Sequence, residues 1–164
     1  MAKYAESPTV SIEVNIGAAA TTVWLLISDI NLPSRFSPEF RGATWTDTGP
    51  ALGATFEGRN KHQAVGEWST ISTITAFEEL ALFEWTVGDV DNKTARWRFD
   101  LAADGVEVCT LRFGAEMGPG PSGLSVAIEA MPDREEEIVA NRLREWTANM
   151  ALTVDGIKAQ AERP

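Results

Sequence analysis

His62 is the only histidine in the chain, and it closes a strand-like run, FEGRNKH, at residues 56–62. Alternation puts Phe56, Gly58, Asn60 and His62 on one face of that run and Glu57, Arg59 and Lys61 on the other. All the charge lies on the second face, so the first is expected to point inward. There Asn60 offers a hydrogen-bond donor to a ligand carbonyl. His62 is a candidate acid or base, since histidine suits proton transfer near neutral pH. A solvated place at the strand end, beside the QAVG turn, is the simpler reading of His62. Gly58 is expected to mark a bulge or a bend that makes room beside it.

Other polar candidates are few. Ser72 shares a phase with Trp68 and Thr70, but that strand carries apolar residues on both phases, Ile71 and Phe77 against Trp68 and Ile74, which leaves its inward face open. Arg96, Arg98 and Asp100 alternate with Trp97 and Phe99, and Glu84 lies between Phe83 and Trp85. All four are expected outward, in cross-strand pairs. Arg35 and Glu39 are expected as a solvated pair, with a cavity entrance as the alternative. Arg142, beside an apolar helix stripe, is a candidate inward anchor.

Cofactor and metal chemistry have little support. One His and one Cys, far apart, do not form a zinc spacing, and no calcium loop, dinucleotide fingerprint, Walker motif or nucleophile elbow is present. No cofactor or metal is expected, and no catalytic residue is assigned.

These residues need a scaffold. Residues 9–16 alternate Val10, Ile12, Val14 and Ile16 against polar neighbours, as a half-buried strand does. GAAATTVWLLISDI follows with Val23, Trp24, Ile27 and Ile30 at helical spacing. Pro33 and Pro38 interrupt it, and a second short helix is expected around residues 33–40. A period of two then predicts strands near 43–48, 53–62, 67–77, 81–88, 93–102 and 106–117, separated by Gly-, Asp- and Asn-rich turns. Six strands joined by short links imply an antiparallel meander. GPGPSG, at residues 118–123, is irregular, and is either a movable lid or a plain connection. A brief helix is expected in LSVAIEAM. After it a long helix should start at Pro132 or Asp133, with Glu135, Glu136 and Glu137 at its positive end. Its stripe is Val139, Leu143, Trp146, Met150, Val154 and Ile157. About 30 residues span roughly 45 Å, enough to cross the sheet and cover its apolar face.

Composition narrows the partners. The 164 residues carry a net charge of −10, from 24 acidic and 14 basic side chains, with no Lys/Arg cluster. Nucleic acid and anionic membrane surfaces are therefore poor candidates. No apolar run approaches the roughly 20 residues that span a bilayer, so stable membrane insertion is not expected. The first residues lack the apolar centre of a secretory signal, and the lone Cys109 suits a reducing cytoplasm. The reading is one cytoplasmic domain over residues 1–164, with nothing that sets an oligomeric state.

Five segments, GATFEGRNK, GEWSTISTITAFEE, FEWTVGD, ARWRFDL and MGPGPSGL, resemble the SRPBCC superfamily. This is the helix-grip fold of START lipid-transfer domains, birch-pollen-allergen-like proteins and polyketide cyclases, and the likeness to actinobacterial polyketide cyclase/dehydrase and lipid transport proteins covers almost the whole chain. It implies an α+β fold: a seven-stranded curved antiparallel sheet, two short helices and a long C-terminal helix enclosing a cavity. The rings that alternation turns inward would then line that cavity. The expected ligand-binding residues are Phe56, Asn60, His62, Trp68, Phe83, Trp85, Trp97, Phe99, Phe113, Trp146 and Met150. The implied function is binding, with possible transport, of a hydrophobic small molecule such as a lipid or polyketide. A polyketide cyclase or dehydratase and a protein-interaction module are the alternatives.

Overall fold

Period-two patterning is realised as a curved antiparallel sheet in a computed structural model that describes residues 2–164. Its strands are β1 (Thr9–Ile16), β2 (Phe40–Trp45), β3 (Thr55–His62), β4 (Gly66–Glu78), β5 (Leu82–Asp89), β6 (Asn92–Ala103) and β7 (Cys109–Met117). The order across the sheet is β1-β7-β6-β5-β4-β3-β2, so β2 to β7 form a meander and β1 closes onto its last strand. The helices are α1 (Ala20–Ile27), α2 (Gly123–Ala130) and α3 (Glu135–Ala161). Val139, Trp146, Met150, Val154 and Ile157 are buried along α3, and Leu143, the remaining member of the stripe read from the sequence, is half-buried.

Several boundaries moved for local reasons. The helix expected around residues 33–40 is only a 3-10 turn, Leu32–Arg35. Ser37 Oγ then accepts the amides of Glu39 and Phe40, and Phe40 already begins β2. α3 starts at Glu135, because Pro132–Arg134 form a 3-10 turn leading into it. β7 starts at Cys109, later than residue 106, because the amides of Asp104 and Gly105 fold back onto the Val108 carbonyl. Gly58 sits in unbroken register between Ala43 and Thr70. The bulge expected there lies on the neighbouring strand, between Phe40 and Gly42, where Gly42 takes a φ of 137°.

A second irregularity explains the strand that was apolar on both phases. Register shifts between Ile74 and Ala76, so Ile74 faces Trp85 and Phe77 faces Phe83. The extra residue reverses the alternation, and Trp68, Ile74 and Phe77 all point to the interior. Thr75 stays outside, where its hydroxyl donates to Glu84 Oε1 at 2.7 Å. Glu84 also accepts from Arg98 Nη1 at 3.3 Å, and Arg98 reaches Asp100 at 2.9 Å. These charges are outward as expected, and Glu84–Arg98 pairs across strands, whereas Arg98–Asp100 is a pair within β6. Glu84 is nevertheless only 9% exposed, covered by its own partners.

Cys109 is fully buried beside β1. Burial, helped by the nearby Asp104 charge, raises its thiol pKa above the ordinary value. We expect the native protein to resist alkylation by iodoacetamide at neutral pH and the unfolded chain to react fully; rapid labelling of the native state would refute this.

Candidate functional site

Between the sheet and α3 lies a cavity of about 640 Å³. The even-numbered face of β3 supplies Phe56, Gly58, Asn60 and His62 to its wall, and β4 supplies Trp68, Thr70 and Ser72. Phe83 and Trp85 come from β5, Trp97 and Phe99 from β6, Phe113 from β7, and Trp146 and Met150 from α3. Every residue expected on the wall from alternation is there, and Trp68 and Ser72 are now assigned to the inner face.

The rings pack in a chain without closing the space. Phe99 and Phe113 stack at 4.1 Å between centroids with 13° between planes. Trp97 meets Trp146 across the gap from sheet to helix at 4.7 Å, and Trp85 touches Phe83 at 5.7 Å and Phe99 at 5.9 Å. These offset and tilted contacts suit aromatic quadrupoles and hold rigid surfaces at the edge of a void.

At its solvent-facing edge the wall becomes charged. Arg142 Nη1 donates to Glu39 Oε2 at 3.0 Å and to Glu145 Oε2 at 2.6 Å, while Nη2 donates to Glu39 Oε1. Asn149 Nδ2 donates to Glu39 at 3.3 Å, and the guanidinium carbon lies 5.9 Å from the Trp146 ring centre. Burial works against the charge on Arg142, but hydrogen bonds and charge from Glu39, then Glu145, outweigh it and raise its pKa. His62 is half-buried, its Nε2 3.0 Å from Glu145 Oε2, while its Nδ1 accepts the Ala64 amide at 3.0 Å. The ring is therefore tied on both nitrogens and not free in solvent. Glu39 is likewise not a surface partner of Arg35, which instead faces Asp29 at 3.6 Å. Arg142 lines the cavity, and both hydrogens of Nη1 and one of Nη2 are already engaged by Glu39 and Glu145. Glu39, His62 and Glu145 place ligand atoms within 4.8 Å of one another, as a metal site would, but the Arg142 guanidinium supplies the cation to both carboxylates.

The glycine-proline segment is pinned and does not behave as a loose lid. Gly118 and Gly120 amides donate to the Thr94 and Lys93 carbonyls at 2.8 and 2.7 Å, and Tyr4 Oη donates to the Gly120 carbonyl at 2.6 Å. Tyr4 gave no signal in the sequence because its partner Gly120 lies 116 positions away, whereas Glu39 takes the cavity-edge place that was its alternative, with Arg142, 103 positions away, as partner. The Arg142–Glu145 pair, three residues apart on one helix, was the one local signal for the charged edge.

An antiparallel sheet of this order, gripping one long C-terminal helix around an aromatic cavity, defines the helix-grip fold. The chain belongs to the polyketide cyclase / dehydrase and lipid transport family, whose model matches residues 7–151. No curated protein matches the sequence. Among solved structures, the chain is similar to a polyketide-cyclase-like protein from Corynebacterium glutamicum, with 29% identity and a TM-score of 0.66 over 93% of this chain and 90% of that one. It is also similar to the ZhuI aromatase/cyclase from Streptomyces sp. R1128, at 13% identity and a TM-score of 0.69 over 95% and 94% of the two chains. A START superfamily protein from Mycobacterium smegmatis matches at 17% identity and a TM-score of 0.60 over 93% and 97%. The last two likenesses speak for the fold. Among the described residues, no helix is long and apolar enough to cross a membrane.

Proposed function

We propose that the protein binds, and carries through the cytoplasm, a hydrophobic small molecule of lipid or polyketide type, with residues 1–164 acting as one binding domain. One observation carries this reading: the aromatic-walled cavity of about 640 Å³. That volume lies within the roughly 300–1,000 Å³ common for small-molecule sites, and an apolar wall with a few polar groups is the usual composition. Phe56, Trp68, Phe83, Trp85, Trp97, Phe99, Phe113, Trp146 and Met150 would make the apolar contacts. Asn60 and His62 would face the ligand's polar end.

Titration with fatty acids, sterols and aromatic polyketides, read by tryptophan emission, should give saturable changes from Trp85, Trp97 and Trp146. Native mass spectrometry should recover an apolar adduct from protein purified from its own host. A flat titration across the panel together with adduct-free protein would sink the reading.

A sharper test uses Gly58. A Cβ there meets only ordinary contacts, 3.5 Å to Thr70 Oγ1 and 3.8 Å to Phe40 Cε1. A larger side chain must therefore extend into the cavity. We expect Gly58→Leu to fold with an unchanged melting temperature and to weaken binding of any ligand found above by about tenfold or more. Unchanged affinity would place the ligand elsewhere.

Catalysis of a cyclisation or dehydration is the second reading, supported by the imidazole–carboxylate pair of His62 and Glu145 on the cavity wall. For proton transfer to a substrate the ring must first release Glu145 or the Ala64 amide. On a verified substrate, His62→Ala should reduce turnover by more than its loss of affinity accounts for; equal turnover would remove His62 from the chemistry.

A further inference from the structure

We infer that the cavity selects uncharged ligands over carboxylates, and that Glu39 enforces the choice by keeping Arg142 occupied. This rests on the reading of the cavity as a binding site. Among the described residues, Arg142 is the only Lys or Arg side chain on the cavity wall. Glu39 and Glu145 both bond to it, so the cluster holds two carboxylates against one guanidinium. His62 does not offset the difference. Its Nδ1 accepts the Ala64 amide and its Nε2 faces Glu145 Oε2, so both ring nitrogens are engaged within the protein and neither is turned to a ligand anion. The remaining wall carboxylate, Asp29, is matched by Arg35.

A ligand carboxylate reaching this edge therefore meets two carboxylates that already share the one guanidinium. To take the bidentate Nη1/Nη2 end of Arg142 it must displace Glu39, whose side chain is only 13% exposed and would be left desolvated without its cation. Removing the partner of a buried charge is strongly unfavourable. An uncharged ligand faces no such exchange. Asn60, Thr70 and Ser72, polar wall groups outside the cluster, are available to its hydroxyl, amide or carbonyl oxygens. One competing seat for an anion exists, the first turn of α2, where Ser122 and Gly123 reach the wall and Ser122 Oγ caps the Ser125 amide.

Matched probes separate these possibilities: 1-pyrenebutyramide and 1-pyrenebutyrate share a skeleton and differ in charge, and energy transfer from tryptophan reports both. The amide should bind about tenfold more tightly than the carboxylate at neutral pH. Glu39→Gln should raise carboxylate affinity by about fivefold or more and leave amide affinity within about twofold, the second result also showing an intact fold. If that variant fails to fold, Glu145→Gln, at a more exposed carboxylate, makes the same change in net charge and should shift affinity in the same direction. Carboxylate binding as tight as amide binding in the native protein would overturn the inference. So would a carboxylate affinity indifferent to both substitutions, which would assign the anion to the α2 turn. If neither probe binds and the titration panel and native mass spectrum above are also blank, the cavity reading itself falls and takes the selectivity with it.

Discussion

Trp146→Ala is expected to lower stability by about 3 kcal/mol, read as a shift in the denaturant midpoint at constant slope. Trp146 is 8% exposed and sits at the middle of the α3 stripe, between Val139 and Ile157. Its ring bridges helix and sheet by meeting Trp97 at 4.7 Å and lies beneath the Arg142 guanidinium. Truncation removes this bridge and leaves Arg142 without its aromatic platform. Buried Trp→Ala changes cost about 3–5 kcal/mol, and the lower end applies because one side of the ring already borders open space. Trp146→Phe, which keeps a ring at the helix–sheet gap, should lose about half as much. A change within about 0.5 kcal/mol for Trp146→Ala would show that the ring is not packed between the layers at all.

The same ring shows why so much of the site was readable from the chain. Trp146 belongs to a stripe of three-and-four spacing, and Phe83, Trp85, Trp97 and Phe99 to a strict alternation. Both periodicities follow from backbone geometry alone, so they identify an inner face before any contact is known. Where the period breaks, legibility ends. The bulge at Thr75 turns Phe77 to the same side as Ile74, and nothing in STISTITAF marks which residue is the extra one. The charged edge was hidden for another reason. Glu39 precedes β2 and Arg142 lies on α3, and only the folded sheet brings them together. A lone glutamate in a proline-broken segment looks like surface, and the burial that makes Glu39 consequential is a tertiary property.

Gly120→Ala is expected to cost about 3 kcal/mol or more, because the obstruction is main chain. A Cβ on Gly120 would lie 2.0 Å from the Asn92 carbonyl oxygen and 2.5 Å from that of Lys93, both at the start of β6. No rotamer relieves this, so either the hairpin between β5 and β6 or the 118–122 segment must move. Moving the segment endangers the Gly120 amide bond to Lys93, the Thr94 Oγ1 bond to the Pro121 carbonyl at 3.1 Å and the buried Tyr4 bond to the Gly120 carbonyl. Each is worth about 1 kcal/mol net, and a group left buried without a partner costs more. Gly123→Ala supplies the control three residues later: a Cβ there meets nothing within 4 Å, at the first residue of α2, and should be neutral or slightly stabilising. Because Ser122 and Gly123 also line the cavity, the Gly120 variant should lose ligand affinity along with stability. A Gly120→Ala protein as stable as the parent would mean that the segment stands clear of the hairpin, and that the cavity is walled on that side by something able to move.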